Sequence, residues 1–132
     1  MDAIPHFHDG HLTGVRLRAG AATIYLQQLD GSDFDLELEG LEALHLSDFR
    51  EGNIISMVEV VSGGAPYVHT NFDNLFPPPH PSAAATFHEK HAIFVRQQIA
   101  RIESADSSLV IVTPSYGAEM MAICRKAICR RV

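Results

Sequence analysis

Three short runs, Val15-Arg16-Leu17-Arg18-Ala19, Ala22-Thr23-Ile24-Tyr25-Leu26-Gln27 and Phe34-Asp35-Leu36-Glu37-Leu38-Glu39, decide the fold. In each, apolar and polar residues alternate one for one, the period of a β-strand with one buried and one wet face. Gly20 permits a reversal between the first two. Asp30-Gly31 lies between the second and third and is the dipeptide that most readily takes the positive φ angles of a tight hairpin, so two strands are expected to pair across Asp30 to Asp33.

Working outward, Ala43 to Leu46 reads as a further short strand before the break at Ser47-Asp48. Ile54 to Val61 is a fifth run, rich in β-branched residues. Ile54, Val58 and Val60 point one way in regular alternation, and Ile55, Met57 and Val61 the other. A strand apolar on both sides is expected to be covered on both faces. Val15 to Val61 is therefore expected to form a five-stranded antiparallel meander.

From Ser62 to Ser82 the pattern dissolves. Gly63-Gly64 ends the fifth strand, and Pro77-Pro78-Pro79-His80-Pro81 favours an extended polyproline conformation. That segment reads as a rigid connector, with a ligand for a proline-reading domain as the alternative. Tyr67, Phe72, Leu75 and Phe76 are apolar enough to pin it to the sheet.

Thr86-Phe87-His88-Glu89 has the form of a capping box and starts a helix over 86–103. Phe87, His91, Phe94, Val95, Ile99 and Ile102 then recur at three- and four-residue spacing, one apolar stripe. Beyond the turn at Ala105-Asp106-Ser107, Leu109 to Thr113 is a nearly continuous apolar strand, and Pro114-Ser115-Tyr116-Gly117 reverses the chain. Ala118 to Ala127 suits a last strand, although its helical propensity keeps a helix in play. The expected fold class is α+β, mainly β: one domain over 1–132, an antiparallel meander or sandwich-like sheet packed with one amphipathic helix.

A chain of 132 residues buries roughly two-thirds of its unfolded surface, so neither a metal nor a disulfide staple is required. Ten Lys and Arg against sixteen Asp and Glu give a net charge of −6, with the acids concentrated between Asp30 and Glu51. This balance argues against a phosphate-binding footprint and hence against a nucleic-acid partner, and the basic end Arg125, Lys126, Arg130 and Arg131 reads as a solvated terminus. No basic segment followed by an apolar run marks a secretory signal near Met1, and no run has the length of a membrane span, so no membrane partner is expected. Cys124 and Cys129 are spaced to fall on opposite faces of a strand, a poor disulfide pair. Both fit small buried hydrophobes in a reduced, cytoplasmic protein.

Ile4 to Leu12 holds the densest set of potential ligands: His6, His8, Asp9 and His11. His6 and His8 share a face in an extended chain, and a turn at Asp9-Gly10 brings Asp9 or His11 towards them. Imidazoles suit zinc, nickel, copper or iron, so His6, His8 and His11 are the candidates if any metal binds. The alternative is a strand leading into a turn, with Asp9 bonding backbone amides, and on that reading no metal and no cofactor is expected. Two further arrangements lack the chemistry they hint at. His88-Glu89-Lys90-His91 does not space its histidines as a zinc protease does, and Ser115 lacks the glycine-flanked elbow of a serine hydrolase. No catalytic residue is assigned; Tyr116 joins His6, His8, Asp9 and His11 as a candidate binding residue.

Three blocks, Phe7-His8-Asp9-Gly10, Leu38-Glu39-Gly40-Leu41-Glu42 running on to Phe49-Arg50-Glu51-Gly52-Asn53-Ile54-Ile55, and Pro114-Ser115-Tyr116-Gly117-Ala118-Glu119 with Cys124, resemble a family of small uncharacterised bacterial proteins. The resemblance spans most of the chain, with Thr86 to Ser104 fitting it least, and implies a bacterial cytoplasmic origin without implying an activity. The functional expectation is a non-enzymatic binding or accessory module with a protein partner or a second copy of itself, its small-molecule ligand unknown. The rival readings are a metal-dependent enzyme built on the N-terminal histidines, and an immunity- or inhibitor-like protein whose acidic surface from Asp30 to Glu51 meets a basic partner.

Overall fold

The alternating runs become strands as their period demands. A computed structural model describes residues 4–64 and 72–132. Its elements are β1 (His11–Arg18), β2 (Ala21–Gln27), β3 (Asp33–Glu39), β4 (Ala43–Ser47), β5 (Ile54–Val61), a single 3-10 turn at Phe72–Asn74, α1 (Ala85–Glu103), β6 (Ser108–Tyr116), β7 (Glu119–Cys124) and β8 (Lys126–Arg131). The fold is α+β, mainly β: an all-antiparallel sheet of order β4-β7-β6-β5-β1-β2-β3-β8 with one helix.

The meander holds for β1, β2 and β3 and stops there. β4 pairs with β7 rather than β3, and β5 pairs with β6 along its length while meeting β1 only at His11 opposite Ile54. The reason lies at the corner Gly40-Leu41-Glu42. Gly40 has φ 62°, and a side chain there would collide with Arg125, the residue between β7 and β8. Arg125 N–H donates to the carbonyls of Glu39 and Gly40, at 2.9 and 3.1 Å, and Glu42 N–H donates to Ile123 O at 2.9 Å. The β3–β8 ladder thus turns a corner into the β4–β7 ladder, and the sheet folds over into two layers. The main core lies between them, with Ala22, Ile24, Leu26, Leu36 and Leu38 facing Val110, Val112, Met120, Ala122 and Cys124, all buried.

The hairpin between β2 and β3 differs from the two-residue turn expected at Asp30-Gly31. Gly31 N–H donates to Gln28 O and Gln28 N–H to Ser32 O, both at 2.9 Å, and of these turn residues only Gly31 has positive φ, at 91°. This is the three-residue loop in which a turn is followed by one left-handed glycine. Asp30 Oδ1 instead accepts from Ser32 N–H at 2.9 Å, and these Ser32 contacts hold its carboxyl below the usual range.

A register shift between Ile55 and Met57 also breaks the alternation expected along β5. Ser56 is the extra residue, so Ile55 turns into the main core on the side of Val58 and Val60, while Met57 is left exposed. The chain reversal after β6 sits later than expected, with β6 running through Tyr116 and the turn falling at Gly117, φ 83°. Ala118 to Ala127 resolves into β7 and β8, and Cys124 and Cys129 are free thiols.

The outer face of the second layer carries Leu109, Met121 and Ile123, covered by Leu75, Phe72, Phe76 and Ile102. Tyr67, expected to help pin this connection, lies outside the described residues. The helix packs differently from the predicted stripe. Its N-cap is Ala84, with no side-chain cap bond, so Thr86 is inside the helix and exposed and the capping box does not form. Phe87 and Phe94 are exposed as well, whereas Gln98 and Ile102 are buried and His91, Val95 and Ile99 half-buried. The face turned to the sheet is therefore offset from Phe87 and Phe94 by a fraction of a turn. Arg101 Nη1 bonds Glu42 Oε1 at 2.6 Å beside Ile102, tying the end of α1 to the sheet corner.

Candidate binding surface around Asn53

Asn53 is the fastening at the end of the sandwich where β1, β5 and the β6–β7 turn meet. Its side chain is buried. Oδ1 accepts from Arg50 N–H at 2.8 Å and from Ala118 N–H at 2.9 Å, and Nδ2 donates to Leu12 O at 3.2 Å. Its backbone carbonyl accepts from Leu12 N–H at 3.3 Å and from His11 Nδ1 at 3.1 Å. One amide thereby satisfies groups from three separated stretches of chain, which is the requirement for burying polar backbone without cost.

The Phe7-His8-Asp9-Gly10 segment joins the same end. Gly10 N–H closes a turn onto Phe7 O at 2.8 Å, Asp9 N–H donates to Ile55 O at 2.9 Å, and Ile55 N–H donates to Gly10 O at 2.8 Å. Gly10 must be glycine, since a side chain would overlap the Gln27 carbonyl. Phe7 is buried edge-on against Phe34, with ring centroids 5.4 Å apart.

The histidines are separated by this arrangement rather than gathered. His8 Nδ1 lies 3.1 Å from the carbonyl of the bulged Ser56 and its Nε2 3.6 Å from Asp9 Oδ2; His11 is drawn to Asn53, and His6 is exposed. His6 and His8 rings stand at 5.9 Å, tilted 65°. Among the described residues no group of three or more His, Cys, Asp or Glu side chains is placed to hold a metal ion. The bonds to carbonyls require Nδ1–H donors in His8 and His11.

Beside His11 runs an open groove of about 670 Å³, lined also by Thr13, Phe49, Arg50, Glu51 and Asn53. Arg50 Nε donates to Asp48 Oδ1 at 2.8 Å, and its guanidinium carbon is 6.0 Å from the centre of the Tyr116 ring. The Asp48 carboxylate first, then Tyr116, hold Arg50 more firmly protonated than a free arginine. Phe49 is 47% exposed and Tyr116 50%. Two aromatic rings and a guanidinium are thus presented to solvent from two loops that Asn53 ties to β1. Sequence reasoning singled out His11 and Tyr116 here and missed Asn53, Arg50 and Phe49. No pattern in the sequence marks Asn53, whose side-chain partners Leu12, Arg50 and Ala118 come together only in the fold.

On the other surface drawn from the sequence, the acids from Asp30 to Glu51, the carboxylates of Glu37, Glu42 and Asp48 pair with the chain's own arginines. On the solvent face Arg18 Nη2 bonds Glu37 Oε2 at 2.7 Å and Thr23 Oγ1 at 3.0 Å, and Arg130 stands opposite Asp35. Among the described residues no helix is long and apolar enough to cross a membrane. No protein family, no curated protein and no solved structure matches this chain.

Proposed function

We propose that this protein is a non-enzymatic binding module that docks a protein partner at the Asn53 end of the sandwich, in the bacterial cytoplasm. One observation carries the reading: Phe49, Arg50 and Tyr116 are all exposed, with the Arg50 guanidinium carbon 6.0 Å from the centre of the Tyr116 ring. Aromatic residues and arginine dominate the energetics of protein interfaces because each brings a large area and a directional contact at small entropy cost. Asp48 fixes the Arg50 Nε, which sets the guanidinium beside Tyr116. The groove is open to solvent, the form of a docking surface rather than of a water-excluding active site. Two unpaired cysteines suit a reduced compartment, and the acid excess with its paired β3 face speaks against nucleic acid.

The test is quantitative capture from the source cytoplasm with immobilised wild type, with an Arg50→Ala, Tyr116→Ala variant, and with a Glu89→Ala control on the exposed face of α1. The reading expects one protein retained by wild type and control and lost at least tenfold in the double variant. Equal retention by all three would show that this end does not bind.

A further inference from the structure

The connection before α1 presents a second recognition element, independent of the Asn53 surface. In Pro77-Pro78-Pro79-His80-Pro81, each proline fixes its own φ and drives the residue before it out of the helical region, so Phe76, Pro77, Pro78 and His80 are all held extended. Pro77 to His80 thus favours a left-handed helix of three residues per turn, and beyond it the chain turns at Pro81-Ser82, where Ala83 N–H donates to His80 O. Its exposure follows that period. Phe76 and Pro79, three apart, are half-buried, whereas Pro77, Pro78, His80 and Pro81 are exposed. One ridge therefore faces the protein and the other two face water, with Pro78 and Pro81 on the same outward ridge.

The segment is held at both ends. Phe76 N–H donates to Phe72 O at 2.8 Å, its carbonyl accepts from His91 Nε2 at 2.8 Å, and its ring packs edge-on against Phe94 at 4.9 Å. At the other end His80 O accepts from Ala83 N–H at 2.8 Å, and His80 Nδ1 accepts from Ser82 N–H at 3.1 Å. A stretch that only had to join Phe76 to Ala84 would gain by laying its rings on the sheet. This one stands off with two ridges bare, and its ordering entropy is already spent by prolines and anchors.

We propose that Pro78 to Pro81 is a preformed proline ligand for a partner protein carrying an aromatic-lined groove of the kind that reads polyproline helices. The rings of Pro78 and Pro81 would fill adjacent slots between aromatic side chains, and the carbonyls of Pro77 to Pro79, between the engaged carbonyls of Phe76 and His80, would accept hydrogen bonds from the groove.

The experiment is an amide chemical-shift titration of the intact chain with two isolated probes, one SH3 domain and one WW domain. Saturable shifts with at least one probe are expected to centre on His80 and Ser82 to Ala84 and to spare Asn53 and Tyr116. A Pro78→Ala, Pro81→Ala variant should bind at least tenfold more weakly while its remaining amide spectrum stays that of the wild type. A synthetic peptide of residues 76–84 should compete, which keeps the test valid if the variant misfolds. No shifts with either probe, or equal binding by variant and wild type, would overturn the proposal.

Discussion

Gly117 lies so close to Asn53 that a β-carbon at 117 would overlap the Asn53 Oδ1 atom, and the same oxygen accepts the next amide, Ala118 N–H, at 2.9 Å. The glycine is required twice over, by the φ of 83° and by this close approach. Asn53→Ala leaves the buried Ala118 amide and the Leu12 carbonyl without partners, and should lower stability by about 2–4 kcal/mol. Gly117→Ala should cost at least about 1 kcal/mol. Urea midpoints measure both; a loss under about 0.5 kcal/mol for Asn53→Ala would mean that water replaces its amide.

The start of α1 makes predictions at two positions of the first turn. Ala84 occupies the N-cap without a side-chain bond, while Thr86 is exposed inside the first turn. Thr86→Ala should leave the melting temperature unchanged or slightly higher. Ala84→Ser or Ala84→Asp should stabilise by about 0.5–1 kcal/mol by satisfying a free amide. Thermal melts decide it, and a marked loss in Thr86→Ala would restore the capping box.

What anchors α1 can be separated by magnitude. Ile102 is 5% exposed among Leu109, Met121 and Ile123, so Ile102→Ala should cost about 2–4 kcal/mol through lost burial and a residual cavity. The neighbouring Arg101–Glu42 pair has side chains 39% and 30% exposed, and solvent screening limits it to about 1 kcal/mol or less. Glu42→Gln should therefore have a small effect that shrinks further in high salt. A larger cost for Glu42→Gln than for Ile102→Ala would invert this account.

Much of the fold was legible because local pattern and final environment agree. Phe34, Leu36 and Leu38 alternate with acids in the sequence and are buried in alternation in the sheet. What failed was anything depending on partners distant in the chain. β4 looks like the next strand of a meander, yet the corner at Gly40 and Arg125 sends it to β7. The bulge at Ser56 reverses the side-chain sense of half of β5, and no propensity marks it. The candidate site was half-visible for the same reason. Imidazoles announce themselves, whereas Asn53 acts by joining Leu12, Arg50 and Ala118, which only the folded chain brings together.

The Cys124 thiol gives a pH signature. Burial pushes it up to about 11 from an ordinary 9.0, so the folded protein favours the protonated thiol. That contribution is complete below pH 9.0 and is lost as the pH rises through about 11. The melting temperature should fall across this window more steeply in wild type than in Cys124→Ala. Iodoacetamide should modify Cys129, which is only half-buried, before Cys124. Prior reaction at Cys124 in native protein would contradict its burial.

The central claim is that the Asn53 end is the docking surface, and amide hydrogen exchange on the complex with a captured partner tests it most directly. The account predicts new protection at Phe49 to Asn53 and at Tyr116 to Ala118, with Asp35 to Glu39 exchanging as in the free protein. Protection confined to Asp35 to Glu39, leaving Arg50 and Tyr116 unchanged, would contradict it and transfer the partner to the acidic sheet face.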